Sequence, residues 1–182
     1  MLHIVLLRAV NVSGTQLLPM AAWRARMLAD GLGNPETYIQ SGNAIVDSDL
    51  TSEQLAAVVR AGIQAGFGFA PDVFARSAAD LEFALHSHPF AGVDTGRVHA
   101  FFLAEPNPTV DAALLDSLRV GEEAWALGPG VLWFYLPAGI GKSKLADKLP
   151  RAVRCLMTAR KLTTVAALLA MAERRRGVAR VG

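Results

Sequence analysis

The sequence predicts an α+β protein in which two ferredoxin-like βαββαβ subdomains pack into one compact body, with a C-terminal helix after them. Three observations carry this expectation. Short apolar runs, "LHIVLLRA" and "RVHAFFLA", open the two halves of the chain. Each is followed by a helical pattern and then by two strand-like runs around a glycine-containing turn, Ser41-Gly42-Asn43 in the first half and Gly128-Pro129-Gly130 in the second. Each half then closes on another helix and strand, so topology repeats although the residues do not.

Taken in order, "LHIVLLRA" is apolar at successive positions and reads as a strand buried on both faces. The polar loop "VNVSGTQ" follows. Pro19 suits a first helical turn, and Met20, Trp23, Met27 and Leu28 recur at helical spacing up to Gly31. "ETYIQ" and "AIVDS" pair through Ser41-Gly42-Asn43, where Gly and Asn tolerate the positive φ of a tight hairpin. Thr51-Ser52-Glu53-Gln54 is a capping box, and Leu55, Val58, Val59 and Ile63 share one face of the helix it starts. "PDVFARS" supplies the fourth strand, completing residues 1–76.

Residues 77–96 form a connection, helical from about Ser77 to His86 and then the linker "HPFAGVDTG". The second subdomain occupies residues 97–161. It holds the strand "RVHAFFLA", a helix starting at Asn107-Pro108 and running through Leu118, and the hairpin "EAWAL" and "VLWFYLP". A short helix near Ser143–Leu149 and a strand around Leu156–Arg160 complete it. Residues 162–182 are a helix capped by Thr163 or Thr164, carrying Val165, Leu168 and Leu169, with "ERRRGVARVG" expected to fray. A lone ferredoxin-like sheet leaves one face open. Here the first strand of each half and "VLWFYLP" are apolar at both parities, so the second face must be covered, and the other half is the expected cover.

Composition narrows the class. With 182 residues, 52% of them apolar, the chain has ample core for a folded protein, and a net charge of +2 makes no case for a strongly basic one. The charge is unevenly placed: residues 1–141 hold 7 basic and 14 acidic side chains, residues 142–182 hold 11 and 2. That asymmetry suits an anion, another subunit, or the acidic remainder of the same chain. The single Cys155, beside apolar Leu156, reads as a buried thiol and fits a reducing cytoplasm. "MLHIVLL" is too short for a signal sequence, and no apolar run approaches the roughly 18 residues of a spanning helix.

Two polar motifs are candidate sites. "LPAGIGKSKL" resembles a phosphate loop, but a P-loop needs glycine five residues before Gly141, and Leu136 stands there. What remains is a glycine-flanked helix start, in which Gly141 allows close backbone approach, Ser143 caps, and Lys142 and Lys144 add charge for a phosphate or carboxylate. In the bland reading the glycines only turn the chain and the lysines are solvated. The second motif follows from topology: in a split βαβ the loop after strand one and the hairpin between strands two and three lie at the same end of the sheet. Arg8, Asn11 and Ser13 are thereby placed near Gln40, Ser41 and Asn43, a set of hydrogen-bonding groups with no carboxylate pair, Cys–His pair or evident general base. They look like binding groups, or else they merely make the turn. His3 and His99 sit inside strands, and His86, His88 and Asp94 lack metal-site spacing, so neither metal nor cofactor is expected. Trp133, Tyr135 and Phe101 or Phe102 have the look of a single-stranded RNA platform, but core packing explains them better.

Taken together, "LLRAVNVSG", "LPM", "TYIQSGNAIV", "HPF", "GIGKSKL" and "TAR" resemble the bacterial family called domain of unknown function 1697, from about Leu2 to Leu169. The resemblance implies paired ferredoxin-like subdomains. It also implies that the recurring polar residues are Arg8, Asn11, Gln40, Ser41, Asn43, Lys142, Ser143, Lys144 and Arg160. The chain departs from the family at Ala9 and Ser13, where glycine is usual, near Thr15, where a basic residue is usual, and at Lys161-Leu162, where Asn-Trp is usual. Three functions stay open: a module binding a phosphate-bearing small molecule or nucleic-acid segment, an enzyme with its cleft between the halves, and an assembly protein. Partners and oligomeric state are not legible.

Overall fold

A computed structural model describes residues 1–12 and 14–179. The chain forms two compact units, one of Met1–Glu82 with Ala166–Gly182, the other of Phe83–Val165. The first contains β1 (Leu2–Leu7), α1 (Met20–Ala29), β2 (Gly33–Tyr38), β3 (Asn43–Asp47), α2 (Ser52–Phe67) and β4 (Val73–Arg76). Helix α3 (Ala78–His86) leads to β5 (Val98–Leu103), α4 (Ala112–Leu118), β6 (Ala124–Gly128), β7 (Val131–Tyr135), α5 (Lys144–Ala152) and β8 (Met157–Lys161), and α6 (Leu162–Ala179) closes the chain. The sheets run β2-β3-β1-β4 and β6-β7-β5-β8, with every neighbouring pair antiparallel. That is the ferredoxin-like order in both units.

The central strands are buried on both faces. Successive side chains of a strand alternate in direction, so Val5 and Leu7 of β1 point one way with Ala44 and Val46 of β3, into a core with Trp23 and Met27 of α1 and Leu55, Val59 and Ile63 of α2. Ile4 and Leu6 point the other way with Ile45, and they too are fully buried. In the second sheet, Phe101, Leu103, Leu132 and Phe134 meet Leu115 of α4 and Leu145 and Leu149 of α5. Val98, Ala100, Phe102 and Trp133 occupy the opposite face and are equally buried.

Each unit recruits a helix from outside the βαββαβ pattern to that opposite face. Arg175 of α6 pairs with Glu36 at 3.2 Å and Asp47 at 3.8 Å. Glu36 lies in register with Ile45, and Ile45 with Ile4, so α6 stands over the Ile4 side of the first sheet. In the second unit the indole N–H of Trp133 donates to the Ala84 carbonyl of α3 at 2.8 Å, and Phe83 lies 5.8 Å from the Trp133 ring. Trp133, 2% exposed, and Phe134 are therefore core rather than a platform, and Tyr135 at the end of β7 is half-buried.

Several expectations need correction. Pro19 is the residue before α1, whose first turn closes on its carbonyl, and Leu28 faces solvent. The turn before β3 takes its positive φ at Ile39 and Gly42, while Asn43 is already the first strand residue. Helix α4 starts five residues after Asn107, at Ala112, because Val110 is held in a β-bridge to Val153 and Asp111 accepts from the Leu114 N–H as its cap. Helix α6 begins at Leu162, directly after β8, so Thr163 and Thr164 lie inside it. The segment expected to fray is helical to Ala179, with Arg175 anchored as described; residues 180–182 lie outside the described part. Cys155 is half-buried, its Sγ donating to the Leu156 carbonyl at 3.2 Å, and Leu156 is exposed.

Candidate functional site

The end of the first sheet brings together most of the polar residues expected there. Asn11 joins the loop after β1 to the β2–β3 turn: its Nδ2 donates to the carbonyls of Gln40 (2.7 Å) and Leu18 (3.0 Å), and its Oδ1 accepts from the Leu18 N–H (2.8 Å). Asn43 is fully buried, and its Nδ2 donates to the Tyr38 carbonyl and to Ser41 Oγ at 3.1 and 2.9 Å. Gln40 takes part through its carbonyl, not its amide. Arg8 differs from expectation: its guanidinium turns to Asp72 at 3.0 Å, which Arg60 also approaches at 3.5 Å. Ser13 lies outside the described residues. Ala9, Asn11, Gln16 and Ile39 all have φ between 48° and 56°, in the left-handed region that side chains avoid. Asn11 and its three hydrogen bonds thus hold a strained loop against a strained turn. In this geometry the amide of Asn11 serves the backbone, and that of Asn43 serves the Tyr38 carbonyl and the Ser41 hydroxyl.

The glycine-rich motif is organised differently. Gly139, at φ 89°, turns the chain out of β7 into a 3-10 turn over Ile140–Lys142. Ser143 is buried, and its Oγ accepts from the Ala146 N–H at 3.2 Å, so it caps α5 as expected. A helix start leaves its first N–H groups without intrahelical partners and carries partial positive charge. This helix start borders an open depression of about 410 Å³ lined by Ile140, Gly141, Lys142, Ser143, Lys144, Ala146 and Asp147. Lys142 and Lys144 are exposed, and neither has a carboxylate partner among the described residues. Asp147, the one acid on the lining, is neutralised by Lys148 at 2.7 Å. No side chain projects from Gly141 into the opening, and a Cβ there would touch nothing. Arg97 was missed by sequence reasoning. Its carbonyl accepts from the Leu136 N–H, and its Nη1 stands 3.7 Å from where a Cβ on Gly139 would be. Only the pairing of β5 with β7 reveals that proximity.

Arg160 does not line this depression. It points from β8 to the face shared by Ala100 and Trp133, where it is 8% exposed and donates to Thr158 Oγ1 and the Ala159 carbonyl at 2.9 and 2.7 Å. Burial lowers its pKa to about 10, so the guanidinium stays charged at neutral pH.

The sheet order and paired hairpins are accompanied by a match at the level of sequence: the model of the family described as "Protein of unknown function (DUF1697)" fits residues 1–133. The chain belongs to the DUF1697 family. The matched stretch contains the strained loop and the β2–β3 turn but stops before the Gly139–Lys144 motif and Arg160. The solved structure of the conserved bacterial protein SP0830 from Streptococcus pneumoniae shares the fold, with a TM-score of 0.67 and 22% identity over 93% of this chain and 97% of that one. At that identity the likeness speaks for the fold alone. Among curated proteins none matches. Ala9 sits at φ 56°, a conformation that costs an L side chain roughly 1–2 kcal/mol and that the glycine implied by the resemblance would adopt without strain.

Among the described residues, no group of three His, Cys, Asp or Glu side chains could hold a metal ion, and no helix is long and apolar enough to cross a membrane. His99 is 3% exposed in β5, and neither ring nitrogen has a hydrogen-bond partner. Burial lowers its pKa, Lys161 across the strand pair lowers it further, and the nearby Arg97 backbone opposes the shift without forming a bond of normal geometry. His88 is shifted the same way, by burial and then His86. Because the folded pKa is depressed, the unfolded chain takes up protons that the folded chain refuses once the pH drops below about 6.5. Stability is therefore expected to fall between pH 7.5 and 5.5, with buried His99 contributing at most about 1.4 kcal/mol per pH unit and the more exposed His88 less. Urea melts across that range should show the fall, and His99→Phe should flatten it.

Proposed function

We propose that this protein binds a phosphate-bearing anion at the start of α5. The observation that carries the reading is the depression beside Gly141–Lys144, rimmed by two lysines without carboxylate partners and opening on the N-terminal turn of a helix. The N–H of Lys144, which lines the depression, suits a phosphate oxygen, and Lys142 and Lys144 add charge-assisted bonds. The bare Gly141 leaves the backbone approachable. Within the same unit, residues 142–165 hold seven basic side chains and one acidic one, an excess that supports the same partner by raising the local anion concentration. A cytoplasmic location agrees with the lone Cys155.

Binding only to the folded chain should raise its melting temperature. A ligand at a hundred times its Kd adds about 2.7 kcal/mol, worth roughly 5–10 °C for a chain of this size. Inorganic phosphate, pyrophosphate and a nucleoside triphosphate, each added at low ionic strength, test this. Lys142→Ala with Lys144→Ala should remove the shift and leave the melting temperature without ligand unchanged. No shift with any of the three, nor with a short oligonucleotide, would refute the reading. A shift confined to oligonucleotides, with affinity falling steeply as salt rises, would assign the site to nucleic acid.

A further inference from the structure

Helix α5 sorts its side chains sharply by direction. Leu145, Leu149 and Ala152 are buried in the core of the second sheet, whereas Lys144, Lys148 and Arg151 are exposed. At 3.6 residues per turn these three cations stand within about 60° of one another around the helix, and at 1.5 Å per residue they form a row about 10 Å long. Lys142, which lines the same depression as Lys144, lies just before it.

The fold gains nothing from this row. Like charges three and four residues apart weaken a helix, cations near its first turn oppose its dipole, and Pro150 already removes one of its main-chain hydrogen bonds. Nor do carboxylates balance it. Among the described residues Lys142, Lys144 and Arg151 have no acidic partner, and Lys148 meets only its exposed neighbour Asp147 at 2.7 Å, a kind of pair that contributes little. Cations elsewhere find acids far along the chain: Arg8 and Arg60 share Asp72, and Arg175 meets Glu36. The acids of this unit collect instead in residues 105–123, five against the single Arg119. Asp111, whose N–H bonds the Ala152 carbonyl at the far end of α5, turns its carboxylate to the Leu114 N–H.

Building on the phosphate reading of the α5 start, we propose that this row is the track along which a single-stranded nucleic acid lies, held by its phosphates. A lone phosphate at Lys142 and Lys144 leaves Arg151, about 10 Å on, unserved, whereas a strand carries one charge per roughly 3.4 Å and sets about three phosphates over that length. One row of cations matches one strand. Apart from Pro150, no apolar side chain is exposed between Lys144 and Arg151, so the row lacks the apolar face with which a helix enters a membrane surface. It also carries no aromatic, Asn or Gln side chain to stack on a base or read its edge. Binding is accordingly indifferent to sequence and steeply dependent on salt.

Fluorescence anisotropy of a labelled short oligothymidylate, begun at low ionic strength, tests this. Three to four phosphate contacts predict that log K falls with log[salt] at a slope of about −2 to −3. Lys148→Gln with Arg151→Gln, both at exposed positions, should leave the melting temperature unchanged, weaken binding at least several-fold and flatten the slope by about 1. The same variant should keep the amide shifts that inorganic phosphate produces at Gly141–Lys144. No binding of the oligonucleotide, or binding that the double substitution does not weaken, overturns the track and leaves the phosphate site standing where those shifts persist. Polyglutamate that competes equally, or a duplex of the same length bound more tightly, overturns it as well. Absence of the phosphate shifts in the parent chain is the separate result that refutes the underlying site, and the track with it.

Discussion

Replacing Trp23 with alanine should destabilise the protein by about 3–5 kcal/mol, the range for truncating a large buried aromatic side chain. Trp23 is fully buried, at the meeting of α1 with the Val5, Val46, Leu55 and Ile63 side of the first sheet. Its loss removes the largest side chain of that core and leaves a cavity that neighbours in two helices and a sheet fill only in part. The indole N–H has no hydrogen-bond partner, so the cost is one of packing rather than of a lost polar contact. Trp23→Phe should consequently recover most of the loss. Denaturant unfolding of the three chains gives the comparison, and equal loss for Phe and Ala would contradict the packing account.

Gly42→Ala should cost about 2–5 kcal/mol, through two separate penalties. Gly42 lies at φ 74°, where an L residue is strained by roughly 1–2 kcal/mol. Its added Cβ would also come within 2.6 Å of Val10 Cγ2 and 2.7 Å of Leu7 Cβ, both in the buried core, and overpacking of this kind costs typically 1–3 kcal/mol more. Gly14 serves as the control: it has φ 76° but no atom within 4 Å of the added Cβ. Gly14→Ala should therefore show the strain alone. If both glycines gave the same loss, the close packing of the β2–β3 turn on the end of β1 would be wrong.

What the sequence revealed of this architecture is what short-range chemistry decides. The capping box at Thr51 and Gln54 is present with both reciprocal bonds. The hairpin at Pro129-Gly130 needs only its own residues, as does the Ser143 cap of α5. What stayed hidden depends on partners far along the chain. Arg8 looked available until Asp72, 64 residues on, came beside it. Val110 delays α4 because Val153 holds it in a bridge. The basic end of α6 looked like a fraying tail, yet Arg175 reaches Glu36 across 139 residues. The doubly buried strands did signal that both sheet faces are covered; the recruitment of α6 and α3 to those faces was not visible, since no local motif marks it. The candidate site divides the same way. The helix start at Lys144 could be read from a glycine, a serine and two lysines close together, whereas the approach of Arg97 to Gly139 follows only from the β5–β7 pairing.

The most direct measurement is an NMR titration of the isotope-labelled protein with inorganic phosphate at low ionic strength, read at the backbone amides. Saturable shifts concentrated at Gly141–Leu145, and lost in the Lys142→Ala, Lys144→Ala double variant, are the result expected. Amides that stay unmoved there up to high millimolar phosphate, or that shift equally over the whole surface, would contradict an anion site at the start of α5.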